Sequence, residues 1–324
     1  MRVFVLGATG HIGQAIVRHW LVQGHAVTAA TRQHAPEALR GLPVAVAPID
    51  GDLRNLTELL SCHDLLLDAA APRPMGSCPP GSTEWRCIVT AAVERMDRVL
   101  DAARVHNLPL GFISSFTTLA RPQSPAAARE AAWRRATYPY FEAKQAMEQR
   151  VLDAARSGMP VAILNPAACL GPWNYRPADS SIVPMVMSSR VPFVMNLTSS
   201  LIDVRDVAAA MELALAHQCF GRPVGLAGHN LTHAELAARI AAAAGMPSPV
   251  TLGVDPMVAS ATSWWVERTS SLIGRRIPDE WLVVPIIGDN LAMTPSAEQL
   301  ALGVRIRPLE ETLCDSVAFH RART

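Results

Sequence analysis

Val3-Phe4-Val5-Leu6-Gly7-Ala8-Thr9-Gly10-His11-Ile12-Gly13 reads as a buried strand running through a glycine turn into a helix. Val3–Leu6 is four apolar residues stopped by glycine, the pattern of a strand covered on both faces. Beyond the turn, Ile12, Ile16, Val17, Trp20 and Leu21 recur at helical spacing, and Gly24 is placed to end the helix. Three glycines between such a strand and such a helix permit a tight turn, close backbone approach to a pyrophosphate, and close helix–strand packing. The helix start adds free N–H groups and the positive end of its dipole. The turn therefore predicts a dinucleotide site with Gly7, Thr9, Gly10, His11, Ile12 and Gly13 as contacts. His11 faces either the phosphates or solvent, the latter as a tolerated turn residue.

The same rhythm continues outward. Ala26–Ala30, Val44–Ala47, Leu65–Asp68, Leu110–Ile113 and Val161–Leu164 are further strand candidates, separated by helical stretches at Leu53–Leu60, Glu84–His106 and Tyr138–Ser157. This alternation predicts right-handed βαβ units and an α/β fold, a Rossmann-type doubly wound parallel sheet. After about Pro166 the rhythm changes. Asn165–Asp179, rich in proline, glycine and polar residues, reads as a long functional loop. Val204–Ala216 reads as a helix, Pro223–Leu226 as a strand, and Thr232–Ala244 as a helix opened by a Thr232/Glu235 capping box. From Pro247 helices dominate, among them Ser260–Leu272 and the last, Leu309–Arg323. The expected division is a Rossmann domain over residues 1–165, with a returning segment around 196–227, and a smaller, mostly helical substrate domain over 166–324.

Composition excludes several classes. Of 324 residues, 50% are hydrophobic and 18% charged, which suits a packed core and not a disordered chain. A net charge of +1 provides no global field for nucleic acid or an acidic membrane. The six cysteines are scattered without CxxC spacing, and no histidines stand at HxH or HExxH spacing, so neither a disulfide scaffold nor a metal is expected. No apolar run approaches the ~20 residues of a membrane span. Gly7, Gly10 and Gly13 interrupt the opening before a signal-peptide core can form. A cytoplasmic protein without membrane or nucleic-acid partners is the expectation.

The glycine turn is spelled GxxGxxG, and three further motifs follow it in order. Tyr140-Phe-Glu-Ala-Lys144 is a YxxxK, and Ile113-Ser114-Ser115 ends the strand before it. Asn165-Pro166-Ala-Ala-Cys169-Leu-Gly171-Pro172 and Ile202-Asp-Val-Arg-Asp206-Val-Ala complete the set. Spanning nearly the whole chain, these motifs resemble the extended short-chain dehydrogenase/reductases, also known as the NAD-dependent epimerase/dehydratase superfamily. Gly228-His-Asn-Leu-Thr-His-Ala-Glu-Leu and the last helix are similar to its dihydroflavonol-reductase-like branch. The resemblance implies catalytic roles for Ser115, Tyr140 and Lys144, with Ser114 the alternative serine. It further implies cofactor contacts at Asp52 and Leu53, at Ala69, Ala70 and Ala71, and at Pro166 and Cys169. Two departures stand out. Phe116 occupies a position usually small, and Ala92 falls where relatives carry the asparagine of an NxxGT-like patch.

Tyr140 and Lys144 are four residues apart on one helix, so both side chains face the same way. A phenol titrates near 10 in water, and a nearby cation lowers that value toward the working range. Tyr140 would then protonate a carbonyl oxygen as hydride arrives at its carbon, with Ser115 holding the same oxygen. Lys144 would also bind the nicotinamide ribose, as the resemblance implies. At the end of the second strand stands Arg32, with no acid until Glu37, which favours NADP(H), NAD(H) being the alternative. Ser114, Thr117, Tyr138 and Trp173 are substrate-contact candidates. For Thr117 a turn-forming role competes, and for Tyr138 simple packing. Trp173, Trp264, Trp265 and Trp281, with Met185, Met187 and Met195, read as core or as a ligand box. Ile88, Val99, Met147 and Val151 read either as core or as the seam of a homodimer.

Three functions are compatible with these residues. The first is an NADPH-dependent reductase of a ketone or aldehyde on a fairly apolar small molecule. The second is a nucleotide-sugar epimerase or dehydratase that retains NAD(P). The third is a non-catalytic, cofactor-sensing protein, against which the intact Ser115, Tyr140 and Lys144 count.

Overall fold

The strands, in chain order, are β1 (Arg2–Leu6), β2 (Ala26–Thr31), β3 (Ala45–Pro48), β4 (Leu65–Asp68), β5 (Leu110–Ile113), β6 (Val161–Pro166), β7 (Ala168–Leu170), β8 (Phe193–Met195), β9 (Thr198–Asp203), β10 (Pro223–Leu226), β11 (His229–Thr232) and β12 (Leu252–Val254). The helices are α1 (His11–Val22), α2 (Leu56–Leu60), α3 (Thr83–Val105), α4 (Pro139–Arg156), α5 (Ile182–Met187), α6 (Val204–Ala216), α7 (His233–Ala243), α8 (Ala297–Ala301) and α9 (Leu309–Arg321). The computed structural model describes residues 1–32, 36–70, 78, 81–119, 132, 137–175, 181–188, 193–195, 198–255, 258, 261–262, 264–266, 269 and 292–323. The helix expected over Ser260–Leu272 lies mostly outside these residues. Ala71, Trp281 and part of the Asn165–Asp179 loop lie outside them too.

Seven strands form one parallel sheet in the order β10-β6-β5-β4-β1-β2-β3. The chain runs from β1 outward through β2 and β3, then returns to place β4 on the other side of β1. Strand order therefore reverses between β1 and β4, where Leu6 lies beside Asp68. Loops diverge at such a switch point and leave a crevice beyond the strands' carboxyl ends. Alternation within β1 divides the core. Val3 and Val5 face Ile16, Val17 and Trp20 of α1, while Phe4 and Leu6 face Met96 and Val99 of α3 and Met147 and Val151 of α4. Val99, Met147 and Val151 are thus core residues of the protomer, each without exposed surface, and Ile88 is only partly buried.

Two local differences from the sequence reading have physical causes. Helix α2 starts at Leu56 and not at Leu53, because Leu53 adopts a left-handed backbone (φ 57°) and buries its side chain in the second core. The C-terminal half, read as helix-rich, also holds a three-stranded sheet, β11-β9-β7, and the pair β12-β8. These strands are short, and pairing partners distant in sequence define them. They cover a third core in which Leu170, Leu201, Leu236, Ile240 and Leu313 meet. The capping box of α7 forms as read, with Thr232 Oγ1 accepting from the Glu235 N–H and the Glu235 carboxylate accepting from the Thr232 N–H. Strand β10 pairs with β6 and α6 packs on α1, so residues 204–226 return to the large sheet. No helix among the described residues is long and apolar enough to cross a membrane.

Candidate active site

The glycine turn closes on itself. The Gly10 N–H donates to the Gly7 carbonyl at 2.9 Å, with Gly7 held at φ 75°. A Cβ on Gly13 would lie 2.0 Å from the Gly7 oxygen, and one on Gly7 would lie 2.6 Å from the Ala70 nitrogen. Glycine is therefore required for α1 to approach β1 and for the turn to lie against Ala69 and Ala70. Helix α1 begins just after Gly10, its cap position, with no side-chain cap and no acid in its first turn. Its first N–H groups and dipole are left for an anion, and the cradle fits a pyrophosphate. The His11 side chain does not face solvent: its Nε2–H donates to the carbonyls of Gly171 (3.3 Å) and Pro172 (3.1 Å). Arg32 is exposed just beyond β2. Beyond β3, at the same sheet edge, Asp52 pairs with Arg54 at 3.0 Å and Leu53 turns inward.

Beyond β5 come the two serines, and they differ. Ser114 is buried and its hydroxyl donates to the Glu148 carboxylate. Ser115 caps the short 3-10 turn Phe116–Thr118, its Oγ accepting from the Thr117 N–H (3.2 Å) and the Thr117 hydroxyl (2.9 Å). With two bonds accepted, the Ser115 hydrogen is left to donate. Helix α4 packs against this turn and carries Tyr140, Lys144 and Glu148 at successive turns. The Lys144 ammonium is 2% exposed and donates to the Ile113 carbonyl at 3.5 Å. Burial pushes its pKa down to about 8, with Asp68 and Glu148 opposing that shift and Arg95 adding to it. Glu148 also accepts from Thr118 (2.8 Å) and from the Asn165 amide (2.6 Å), and the same amide reaches the Ser115 carbonyl at 3.1 Å. The strand end, the serine turn and α4 are therefore joined through one buried carboxylate.

Residues 3–224 match the model of the NAD dependent epimerase/dehydratase family. The chain belongs to that family. Its motifs are those of an extended short-chain dehydrogenase/reductase. It is 27% identical over 342 residues to a putative dihydroflavonol 4-reductase of Synechocystis sp., covering 97% of this chain and 93% of the relative. It is 28% identical over 333 residues to sterol demethylase protein B of Methylococcus capsulatus, covering 100% and 99%. The crystal structure of UDP-glucuronic acid 4-epimerase from Bacillus cereus, in complex with UDP-glucuronic acid and NAD, superposes with a TM-score of 0.74. At 15% identity over the full length of both chains, that similarity is one of fold.

Within this epimerase/dehydratase fold the remaining sequence candidates occupy varied positions. Pro166 ends β6, and Cys169 lies in β7 with its thiol on the Ala167 carbonyl at 3.4 Å. Tyr138 is the cap residue of α4, 2% exposed, in a small cluster with Phe141 and Tyr140. Trp173 has a left-handed backbone (φ 67°) and lies under the Arg18 guanidinium at 4.8 Å, which pins the loop after β7 to α1. Ser114 and Ser115 are both buried, the first engaged by Glu148 and the second by Thr117. Among the described residues no group of three His, Cys, Asp or Glu could hold a metal ion.

The sequence reading missed Glu148 and Asn165 as a buried hub, and Asp68 with Arg95 behind Lys144. It also passed over a compositional signal: Lys144 is the only lysine among 29 lysine and arginine residues. A chain that uses arginine everywhere else has its lysine, a compact ammonium whose pKa shifts readily on burial, at this buried position.

Proposed function

We propose that this chain is an NADPH-dependent reductase of a ketone or aldehyde carried on a fairly apolar small molecule. One observation carries the reading: the buried Lys144 ammonium lies one turn from Tyr140, on the helix packed against the Ser115 turn. The nicotinamide, when bound, supplies the hydride. Ser115, its lone pairs occupied by Thr117, donates its hydrogen to the substrate's carbonyl oxygen and stabilises the developing alkoxide. Tyr140 gives its proton to the same oxygen, and Lys144 lowers the phenol's pKa by its charge while holding the ribose. The Gly7–Gly13 turn and the open start of α1 hold the pyrophosphate.

The phosphate on the adenosine ribose is assigned to Arg32, exposed beyond β2. The next acid, Glu37, is paired with Arg323 at 3.2 Å, which engages its charge elsewhere. The curated relatives carry a dihydroflavonol and a sterol in their names, and both compounds have apolar frames; this supports an apolar substrate. The test is purification followed by nucleotide analysis and NADPH oxidation across a panel of carbonyl compounds. Loosely held NADPH with turnover of apolar ketones or aldehydes is expected. Retained NAD(H) with no turnover of external carbonyls overturns the reading in favour of an epimerase.

A further inference from the structure

Behind Lys144 lies an ion pair that the reaction as described does not use. Asp68, at the end of β4, has no exposed surface. Arg95 of α3 grips it bidentately, Nη1 donating to Oδ2 at 2.9 Å and Nη2 to Oδ1 at 2.7 Å. The Ala70 N–H adds a third bond to Oδ1 at 3.0 Å. Arg95 belongs to the stretch Ala92-Val-Glu-Arg95 that departs from the asparagine-bearing patch noted in relatives. Three titratable groups act on the Lys144 charge, Asp68 from β4, Arg95 from α3 and Glu148 from α4 itself, and Tyr140 precedes Lys144 by one turn on that helix. Strand β5 adds only the Ile113 carbonyl and the Phe112 ring. Glu148 is engaged by Ser114, Thr118 and Asn165, so Asp68 is the carboxylate whose partner decides where the ammonium goes.

We propose that Arg95 is a positioning residue: by holding both oxygens of Asp68 it keeps Lys144 from pairing with that carboxylate and leaves the ammonium to Tyr140 and the cofactor. A buried carboxylate that loses its partner seeks another cation, and Lys144 is one whose charge already feels Asp68. Planar, bidentate arginine suits this role because it saturates the carboxylate's two oxygens together. The pair also balances the field at Lys144, since Asp68 stabilises the charged lysine and Arg95 opposes it. The proposal rests on the reading of Lys144 as the partner of Tyr140 and of the ribose.

The lone lysine makes the test direct. Protein isotope-labelled at the lysine ε carbon gives one side-chain resonance, and its shift against pH titrates Lys144 without substrate or cofactor. Arg95→Met is expected to raise the midpoint by about one unit or more, and Asp68→Asn to lower it. The double variant returns it toward the parent. Arg95→Met also weakens NADPH binding by about tenfold, a charged hydrogen bond to the ribose being lost. Arg95→Gln keeps one donor for Asp68 and shows the same upward direction, which serves where Arg95→Met fails to fold. Loosened packing would hydrate the lysine and raise the midpoint in both single variants. Midpoints that move together, or not at all, overturn the proposal. Opposite shifts alongside unimpaired NADPH binding by Lys144→Met leave the ion-pair effect on the titration standing and overturn the reading of Lys144 as a cofactor ligand.

Discussion

Tyr140 and Tyr138 stand two residues apart, and their surroundings differ. Tyr138 is buried at the start of α4, whereas Tyr140 is partly open and shares a helix face with Lys144. Tyr140→Phe keeps the ring and removes the proton donor, so turnover should fall on the order of 10⁴-fold while NADPH binding survives. Single-turnover rates with measured NADPH affinity check this, and a near-native Tyr140→Phe beside an inactive Tyr138→Phe would reverse the assignment. Ser115→Ala should cost a similar factor or less, through one hydrogen bond to the alkoxide. Arg32→Asp should weaken NADPH more than NADH, by removing a cation and adding repulsion, and equal losses in both affinities would deny Arg32 the selector role. At this scale the neighbouring placement of Ser115, Tyr140 and Lys144 was legible because a YxxxK on one helix and a serine ending the strand before it follow a fixed order. Glu148, Arg95 and Asp68 were not. A charge on a helix reads as a solvent face, and the burial of these residues depends on partners that only folding supplies: Asp68 lies 27 positions from Arg95, and Ser114, Thr118 and Asn165 lie 34, 30 and 17 positions from Glu148.

Among the elements, the β1–turn–α1 unit is the most sharply constrained. A methyl group on Gly13 would press 2.0 Å from the Gly7 oxygen, which is backbone and cannot swing aside. Gly13→Ala should therefore displace α1, lower the melting temperature, and cut NADPH affinity by about tenfold or more, as calorimetry and fluorescence titration would read. An unchanged affinity would mean that the turn relaxes freely. The strands of the large sheet were readable because each is a continuous apolar run covered on both faces. The small sheet of β7, β9 and β11 was not, since Cys169 pairs with Ile202 and Leu201 with His229 only once the chain has folded back. The left-handed backbone of Leu53 likewise gave no sequence signal, and it moved the start of α2 by a turn.

For the whole molecule, the buried lysine couples folding to pH. Lys144 titrates at 10.5 when exposed and at about 8 in the fold, because burial disfavours its charge. Between those values the unfolded chain holds the proton and the folded chain does not, so stability rises with pH across that window. Below the lower value the burden of the buried cation is present in full. The rise amounts to about 3 kcal/mol. Urea unfolding of cofactor-free protein from neutral pH to about pH 10, with Lys144→Met as the baseline, should show the parent gaining on the variant. A parent that loses ground would contradict the lowered titration. The same residue offers a handle of another kind. A protease that cuts after lysine has a single peptide bond to attack in this chain, the one that follows Lys144. That bond lies inside α4, beside a side chain only 2% exposed, and cannot reach a protease until the helix unwinds. When opening and reclosing outpace cleavage, the rate at which the chain falls into two fragments measures the fraction of molecules with that helix open, and bound nucleotide should slow it.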